Sequence, residues 1–348
     1  MIEVEGFSIN SIPRFKGYVC EWMEEGNYIF SLRNKLYHSS SPTSQLNYIG
    51  SIPESFFKRF FYRFSLIRRL LRKSFYNVLP LKSGGYFVSY GRQLGLIKDK
   101  KYIPFTSFDK PFRVLRSAAA MDERGNIFFG EYTSNDDRIP VKIYRYSQDD
   151  NKLKIVHEFK AGSIRHIHGI YYDEYANSLL CLCGDIGNEN KILSSIDEFK
   201  TISVIGSGDE SWRAVSVLFT EKYFYYGMDA EYTDNFIIRV DKADYSREKI
   251  GKISGPVYYS YKSNNILFFA VTAELCPSHS DKYASLYTID SNDKLERVLD
   301  IKKDLFSVKY FLPGAFYFPA GPGVKNKILI NTVALKHNNS NCFSLNKN

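Results

Sequence analysis

Residues 125–147 read GNIFFGEYTSNDDRIPVKIYRYS. A Gly-Asn turn leads into an apolar-aromatic run, Ile127–Phe129, which a small residue and an acid, Gly130-Glu131, bring to a stop. A polar loop follows, and the alternating run from Val141 to Ser147 reads as a second strand. The same order recurs in GNYIFSLRNKLYHS from Gly26, GGYFVSYGRQLGLI from Gly84 and NSLLCLCGDIGNENKILSS from Asn177. It recurs again in EKYFYYGMDAEYTDNFIIRVD from Glu221, NNILFFAVTAELCPSHSDKYASLYTID from Asn264 and NKILINTVALK from Asn326. Start-to-start spacings are 58, 41, 52, 44, 43 and 62 residues. About 45 residues per unit is the period of four-stranded propeller blades. The sequence therefore predicts an all-β, seven-bladed β-propeller spanning 1–348 as one domain. Six or eight blades stay open, because the first and last copies are the weakest.

Further strands precede several copies: RSAAAMDERG, HIHGIYYDEYA, WRAVSVLFTE and GPVYYSYKSN. In a blade these are the innermost strands. The start of an inner strand and the end of its hairpin partner lie at the same end of the blade. In a closed ring those ends converge on one mouth of the central channel. The inner-strand starts carry Arg116, Arg165, His166, His168, Trp212, Arg213 and Tyr258. The second-strand ends carry Glu131, Asp185, Asp229, Glu231 and Glu274.

These residue types suit work on an acidic saccharide. Glycoside hydrolysis needs one acid for the leaving oxygen and one as base or nucleophile, so the five carboxylates form the catalytic pool. His166 and His168 are base candidates, or ligands of a divalent metal with Glu131 or Asp185. Arg116, Arg165 and Arg213 suit a carboxylate or phosphate by bidentate pairing. Trp212, Tyr132, Tyr232 and Tyr258 suit stacking on sugar faces. The leading expectation is a glycoside hydrolase-like activity on an acidic or lipid-linked saccharide. A polysaccharide lyase, or a noncatalytic glycan- or protein-binding scaffold, is the alternative. No P-loop, dinucleotide-binding glycine motif, nucleophile elbow, HExxH or EF-hand loop is present.

Two Asp-bearing turns, Ser147-Gln148-Asp149-Asp150-Asn151 and Thr288-Ile289-Asp290-Ser291-Asn292, resemble the Asp box of BNR/sialidase-like propellers. Both lack the Thr-Trp ending. The resemblance implies the propeller fold and places these turns away from the catalytic rim. The sialidase arginine triad and tyrosine nucleophile are not assignable residue by residue.

Composition agrees with a large folded core. The 348 residues are 16% aromatic, too many for a disordered chain. The net charge is +9, but FFKRFFYRFSLIRRLLRKSFY at 56–76 holds seven bases and no acid. Removing it leaves 40 bases against 38 acids, which argues against a nucleic-acid footprint spread over a face. At helical spacing, Phe56, Phe57, Phe60, Phe64, Ile67 and Leu71 share one apolar sector with Phe75. Lys58, Arg59, Arg63, Arg68, Arg69, Arg72 and Lys73 supply the basic remainder. The pattern predicts one amphipathic helix over 55–77, inserted between the first two blades and lying on an anionic membrane. Acids stand where a signal peptide has bases, and no apolar run reaches a membrane span. The expected location is cytoplasmic, peripheral to the inner face of the plasma membrane, as a monomer. Five scattered cysteines read as reduced, mostly buried thiols. His38, His157, His279 and His337 lack comparable company and read as incidental.

Overall fold

The computed structural model describes residues 2–4, 7–336 and 342–347. His337 lies outside these, as does the side chain of Arg59. The described strands form seven antiparallel sheets that follow one another along the chain. This is a seven-bladed β-propeller. From the channel outward, the first blade is Val19–Glu24, Asn27–Leu32, Lys35–Ser39 and Asn47–Ser51. The second is Phe75–Pro80, Tyr86–Tyr90, Gln93–Lys98 and Lys101–Pro104. The third is Ala120–Met121, Ile127–Gly130, Val141–Ser147 and Lys152–Phe159. The fourth is Ile167–Asp173, Ser178–Cys183, Asn190–Ser195 and Ser203–Gly208. The fifth is Ala214–Phe219, Tyr223–Met228, Asn235–Asp241 and Arg247–Ile253. The sixth is Val257–Ser263, Ile266–Val271, Tyr283–Ile289 and Leu295–Lys302.

The seventh blade is built from both ends of the chain. Ala315–Tyr317, Ile328–Val333 and Cys342–Lys347 pair in order, and the N-terminal strands Phe7–Ser11 and Ile2–Val4 complete the sheet. A short strand, Ala320–Gly323, also runs parallel to Val19–Glu24 on the inside of the first blade. All seven second strands fall on the seven repeat copies.

The second strands are the most buried, because both faces press on neighbouring blades. Ser178–Cys183 is buried at every residue, including Cys181 and Cys183. Tyr, Phe, Ile and Val fill these layers, as expected for strands covered on both sides. Where blades approach most closely, the second strand carries glycine. A Cβ on Gly130 would lie 2.5 Å from Ile167, and one on Gly227 would lie 2.4 Å from Val257.

Inner strands share one irregularity. Their pairing with the second strand slips near the mouth end in the first, second, fourth, fifth and sixth blades. A β-bulge leaves a residue unpaired and re-aims it. The unpaired residues include Glu21, Tyr76, His168 and Tyr258.

The single helix expected over 55–77 is not formed. Two six-residue helices, Phe56–Phe61 and Ser65–Leu70, take its place, and Phe75 already belongs to the second blade. Phe64 is extended, so the backbone ladder breaks between the helices. Arg68 donates to the freed carbonyls of Tyr62 and Arg63 at 2.6 and 3.2 Å. Helices this short do not persist without tertiary contacts. These are held as a cap: Arg69 is buried, bonded to Asp304 at 2.7 Å and flanked by Phe306 and Phe311. The outward side of the cap carries Phe56 and Phe57, 79% and 75% exposed. No described helix is long and apolar enough to cross a membrane.

Burial raises the Asp304 carboxyl, but hydrogen bonds from Arg69, Lys303 and the Phe306 backbone, with the Arg69 charge, together outweigh it and hold the pKa below the ordinary value. A carboxyl lowered by docking stabilises the docked state above its free pKa and loses that contribution as pH falls through the lowered value. Asp304→Asn should weaken cap docking by about 1–3 kcal/mol. The check is faster amide exchange across 56–74 in the variant at neutral pH, with wild type reaching that rate only below about pH 4.

Candidate functional site

The mouth is built from inner-strand starts and second-strand ends, and Asp185 is its centre. Gly184, at φ 144°, turns the chain out of the fourth blade's second strand. Asn190 Oδ1 then accepts from the Asp185 backbone N–H at 3.0 Å and fixes the tip. Arg165 Nη1 reaches Asp185 Oδ2 at 2.9 Å, and Arg213 Nη2 lies 3.4 Å from Oδ1. His166 Nε2 lies 3.3 Å from Oδ2 and His168 Nε2 lies 3.2 Å from Oδ1. Burial raises the Asp185 pKa, yet hydrogen bonds and charge from the two histidines hold it far below the usual carboxylate range.

Both imidazoles have their other nitrogen engaged. His166 Nδ1 is 3.0 Å from the Thr133 carbonyl and His168 Nδ1 is 2.8 Å from the Ala214 carbonyl. A carbonyl only accepts, so each Nδ1 carries a proton, and each Nε2 can donate to Asp185 only by carrying a second one. Burial lowers the His168 pKa despite the hydrogen bond to Asp185, so the neutral form is favoured there. In that neutral form the His168 Nε2 lone pair faces a carboxylate oxygen, acceptor against acceptor, in a pocket where both histidines are 2–3% exposed. A cation resolves that conflict. Backbone carbonyls on the second ring nitrogen are also how metal-bound histidines are held.

The ligand atoms of His166, His168 and Asp185 lie within 4.8 Å of one another. Two ligands on a first-row dication at about 2.1 Å sit about 3.0–3.4 Å apart. The observed His–Asp separations of 3.2 and 3.3 Å match, so this set fits a divalent ion.

Two cavities open beside this centre, and they differ in sign. One, of about 320 Å³, is lined by Arg72, Arg92, Arg113, Tyr132, Thr133, Ser134, Arg165, His166 and Asp185. The other, of about 350 Å³, is lined by Arg72, Arg213, Asp229, Glu231, Glu274 and residues from Pro256 to Pro313. Arg72 reaches both from the end of the cap. Its φ of 50° is the left-handed turn that closes a helix, where glycine is the usual choice. Between the cavities, Arg213 Nε bonds Asp229 Oδ2 at 3.0 Å and Nη1 lies 3.8 Å from Glu231. Burial raises Asp229; Arg213 opposes this, while Glu274 and Asp185 add to it, and the acid stays above its ordinary pKa. Tyr258, on its bulge, donates to Glu274 at 2.5 Å. Tyr132 packs on His166 with ring centres 4.2 Å apart, and burial pushes its pKa to about 12.

Other predicted site residues are engaged elsewhere. Glu131 turns back into the third blade, accepting from Tyr144 at 2.9 Å and facing Lys110 at 3.3 Å. It does not join the histidines. Arg116 pairs with buried Glu21 at 2.5 Å and lies over the Tyr317 ring. Trp212 stacks on Arg247 at 3.6 Å and lines neither cavity. Tyr232 is 71% exposed on the outer loop. His279 bonds Asp281 at 2.8 Å beneath the sixth blade's rim. The sequence reading missed Arg92 and Arg113, and it gave Arg72 to a membrane face. It also missed Asn190 and Asn235, each holding the backbone five residues upstream. Their spacing after the stop acid was the available signal.

No protein-family model matches the chain, and no curated protein matches it. The Asp-box likeness therefore stays at the level of the fold. Solved structures do match over nearly the whole chain. An oligogalacturonate lyase in complex with manganese is 7% identical, covering 98% of this chain and 91% of that one, at a TM-score of 0.61. The oligogalacturonate lyase of Vibrio parahaemolyticus is 8% identical, covering 99% and 98%, at 0.60. The extracellular domain of a putative one-component system from B. thetaiotaomicron is 11% identical at 0.59, and this chain spans 40% of its length. At these identities the likeness is one of fold.

Asp185→Ala should leave two guanidiniums and two imidazoles facing one another in a buried site. The expected loss is about 3–5 kcal/mol of stability by chemical denaturation. Glu231→Ala, on a half-exposed side chain, should change stability by less than about 1 kcal/mol.

Proposed function

We propose that the channel mouth is the active site of a divalent-cation-dependent enzyme acting on an anionic saccharide, by β-elimination rather than hydrolysis. One observation carries this reading: two buried imidazoles, each with Nδ1 committed to a backbone carbonyl, aim Nε2 at the two oxygens of one aspartate. Support also comes from the saccharide lyases of like fold, one of them a manganese complex.

His166, His168 and Asp185 would hold the ion, which when bound supplies a Lewis acid for a substrate carboxylate. Arg165 and Arg213 fix the Asp185 oxygens and lend positive charge where the substrate carboxylate gathers electron density. Neutralising that carboxylate acidifies the α-proton, and Tyr132, packed on His166, would receive it as phenolate, after losing its own phenolic proton to solvent, a loss that a cation bound beside it would favour against burial. Asp229 keeps a proton through its raised pKa and would deliver it to the departing glycosidic oxygen. The Cα–H and C–O bonds break, and the product carries one C=C bond. Hydrolysis is disfavoured because Glu131, the carboxylate expected as its partner base, faces away from the mouth.

With manganese and uronate oligosaccharides, the expected product is unsaturated and absorbs in the ultraviolet. Turnover should fall about 10²-fold or more in Tyr132→Phe. Manganese affinity by calorimetry should collapse in His168→Ala. A saturated product, or wild type that takes up no manganese, would overturn the reading.

We also propose that the cap rests on an anionic membrane. Phe60, Phe61 and Phe64 are each at least 51% exposed beside Phe56 and Phe57, with Lys58 and Arg63 exposed among them. Exposed aromatics rimmed by bases suit an anionic lipid surface. Co-sedimentation with phosphatidylglycerol vesicles should be lost in the F56S/F57S/F60S variant, and undiminished binding would refute this docking.

A further inference from the structure

The arginine-lined cavity holds more positive charge than a single carboxylate can balance. Arg165 is already paired, with Asp185 at 2.9 Å and Asp136 at 2.7 Å. Among the described residues, the guanidiniums of Arg72, Arg92 and Arg113 make no ion pair and no hydrogen bond. Arg72 is engaged through its backbone, the N–H donating to the Arg69 carbonyl and the carbonyl accepting from Tyr76. Arg113 Nε is buried without a partner. The three come from separate elements: the end of the cap, the turn into the strand Gln93–Lys98, and the loop before the third blade. Burial lowers the Arg113 pKa, and Arg72 and Arg92 lower it further by repulsion. Three like charges gathered against one cavity, one of them on a left-handed residue, cost free energy that an anion would recover.

We propose that Arg72, Arg92 and Arg113 form a subsite for a phosphoryl or diphosphoryl group carried by the saccharide substrate. The charge decides the class. A substrate carboxylate at the Asp185 centre leaves these three unbalanced, whereas a phosphoryl group brings up to two negative charges and a diphosphoryl group more. Phosphate oxygens also match the planar guanidinium fork. The cavity of about 320 Å³ accommodates such a group beside a sugar ring. Thr133 and Ser134 line it with further polar groups. The inference rests on the mouth being the saccharide site, and it deepens that reading from an acidic saccharide to a phosphorylated one.

The test measures inorganic pyrophosphate binding by calorimetry in the presence of a chelator, so that no divalent ion takes part. Wild type should bind. Arg72→Gln, Arg92→Gln and Arg113→Gln should each weaken binding about tenfold or more while unfolding at the wild-type temperature. Arg92 is exposed, so its variant carries the test if Arg113→Gln does not fold. Lys98→Gln, at the far end of the same strand as Arg92's turn, controls for general charge and should bind as wild type. His168→Ala should also retain pyrophosphate binding, which separates this subsite from the cation centre. A glucose 1-phosphate arm should show the same arginine dependence, and free galacturonate should bind more weakly. Equal binding by all arginine variants, no binding by wild type, or galacturonate binding as tightly as pyrophosphate would each overturn the subsite. Loss of manganese uptake alone would leave it standing.

Discussion

The backbone ladder between Phe7–Ser11 and Cys342–Lys347 closes the ring, and the mouth exists only because the ring is closed. Without it, the inner strands of a linear stack of sheets have no reason to share an axis. Arg165 and Asp185 flank one hairpin of the fourth blade while Arg213 opens the fifth, and the Arg213–Asp185 pair needs those two blades held at a fixed angle. Pairing the two chain ends in one sheet supplies that constraint, and it hides two strand edges that would otherwise invite intermolecular pairing. The parallel strand Ala320–Gly323 adds a second tie between the last blade and the first.

Within the ring, charge is sorted by position. Guanidiniums dominate from the second to the fourth blade, and carboxylates dominate in the fifth and sixth. Asp185 and Arg213 stand at the boundary and neutralise one another's neighbours. Low exposure makes this separation expensive to maintain and also makes it effective, because fields inside a desolvated funnel are weakly screened. The bulges complete the arrangement. A regular strand would send alternate side chains into the blade, while the slipped pairing at His168 and Tyr258 directs them to the channel.

Much of the fold was legible in the sequence, because the second strands are apolar, short and bounded by Gly, Asn and Asp. Those turn residues punctuate the chain every blade, and all seven copies coincide with real strands. The convergence of Asp185, Asp229 and Glu274 with Arg165, His166 and Arg213 followed from hairpin geometry alone. The helix over 55–77 failed for a physical reason. Periodicity describes a continuous helix, but Phe64 is extended and the Arg68 guanidinium takes up the carbonyls that the broken ladder frees. Glu131 failed differently: its place after a second strand was read correctly, but Tyr144 and Lys110 draw its side chain back into the blade. Arg72, Arg92 and Arg113 were hidden because they meet only in three dimensions and share no motif.

The loops that carry the acids differ in length, while the backbone at their bases is clasped by buried Asn135, Asn190 and Asn235. At Asn135 and Asn235 the amide both donates to and accepts from the turn, which isolates the rim from the blades beneath it. Residues such as Thr233 or Asp234 can therefore be exchanged, lengthened or removed without disturbing the β-ladder, so this rim is where descendants of the fold would diverge in specificity while their scaffold stays the same.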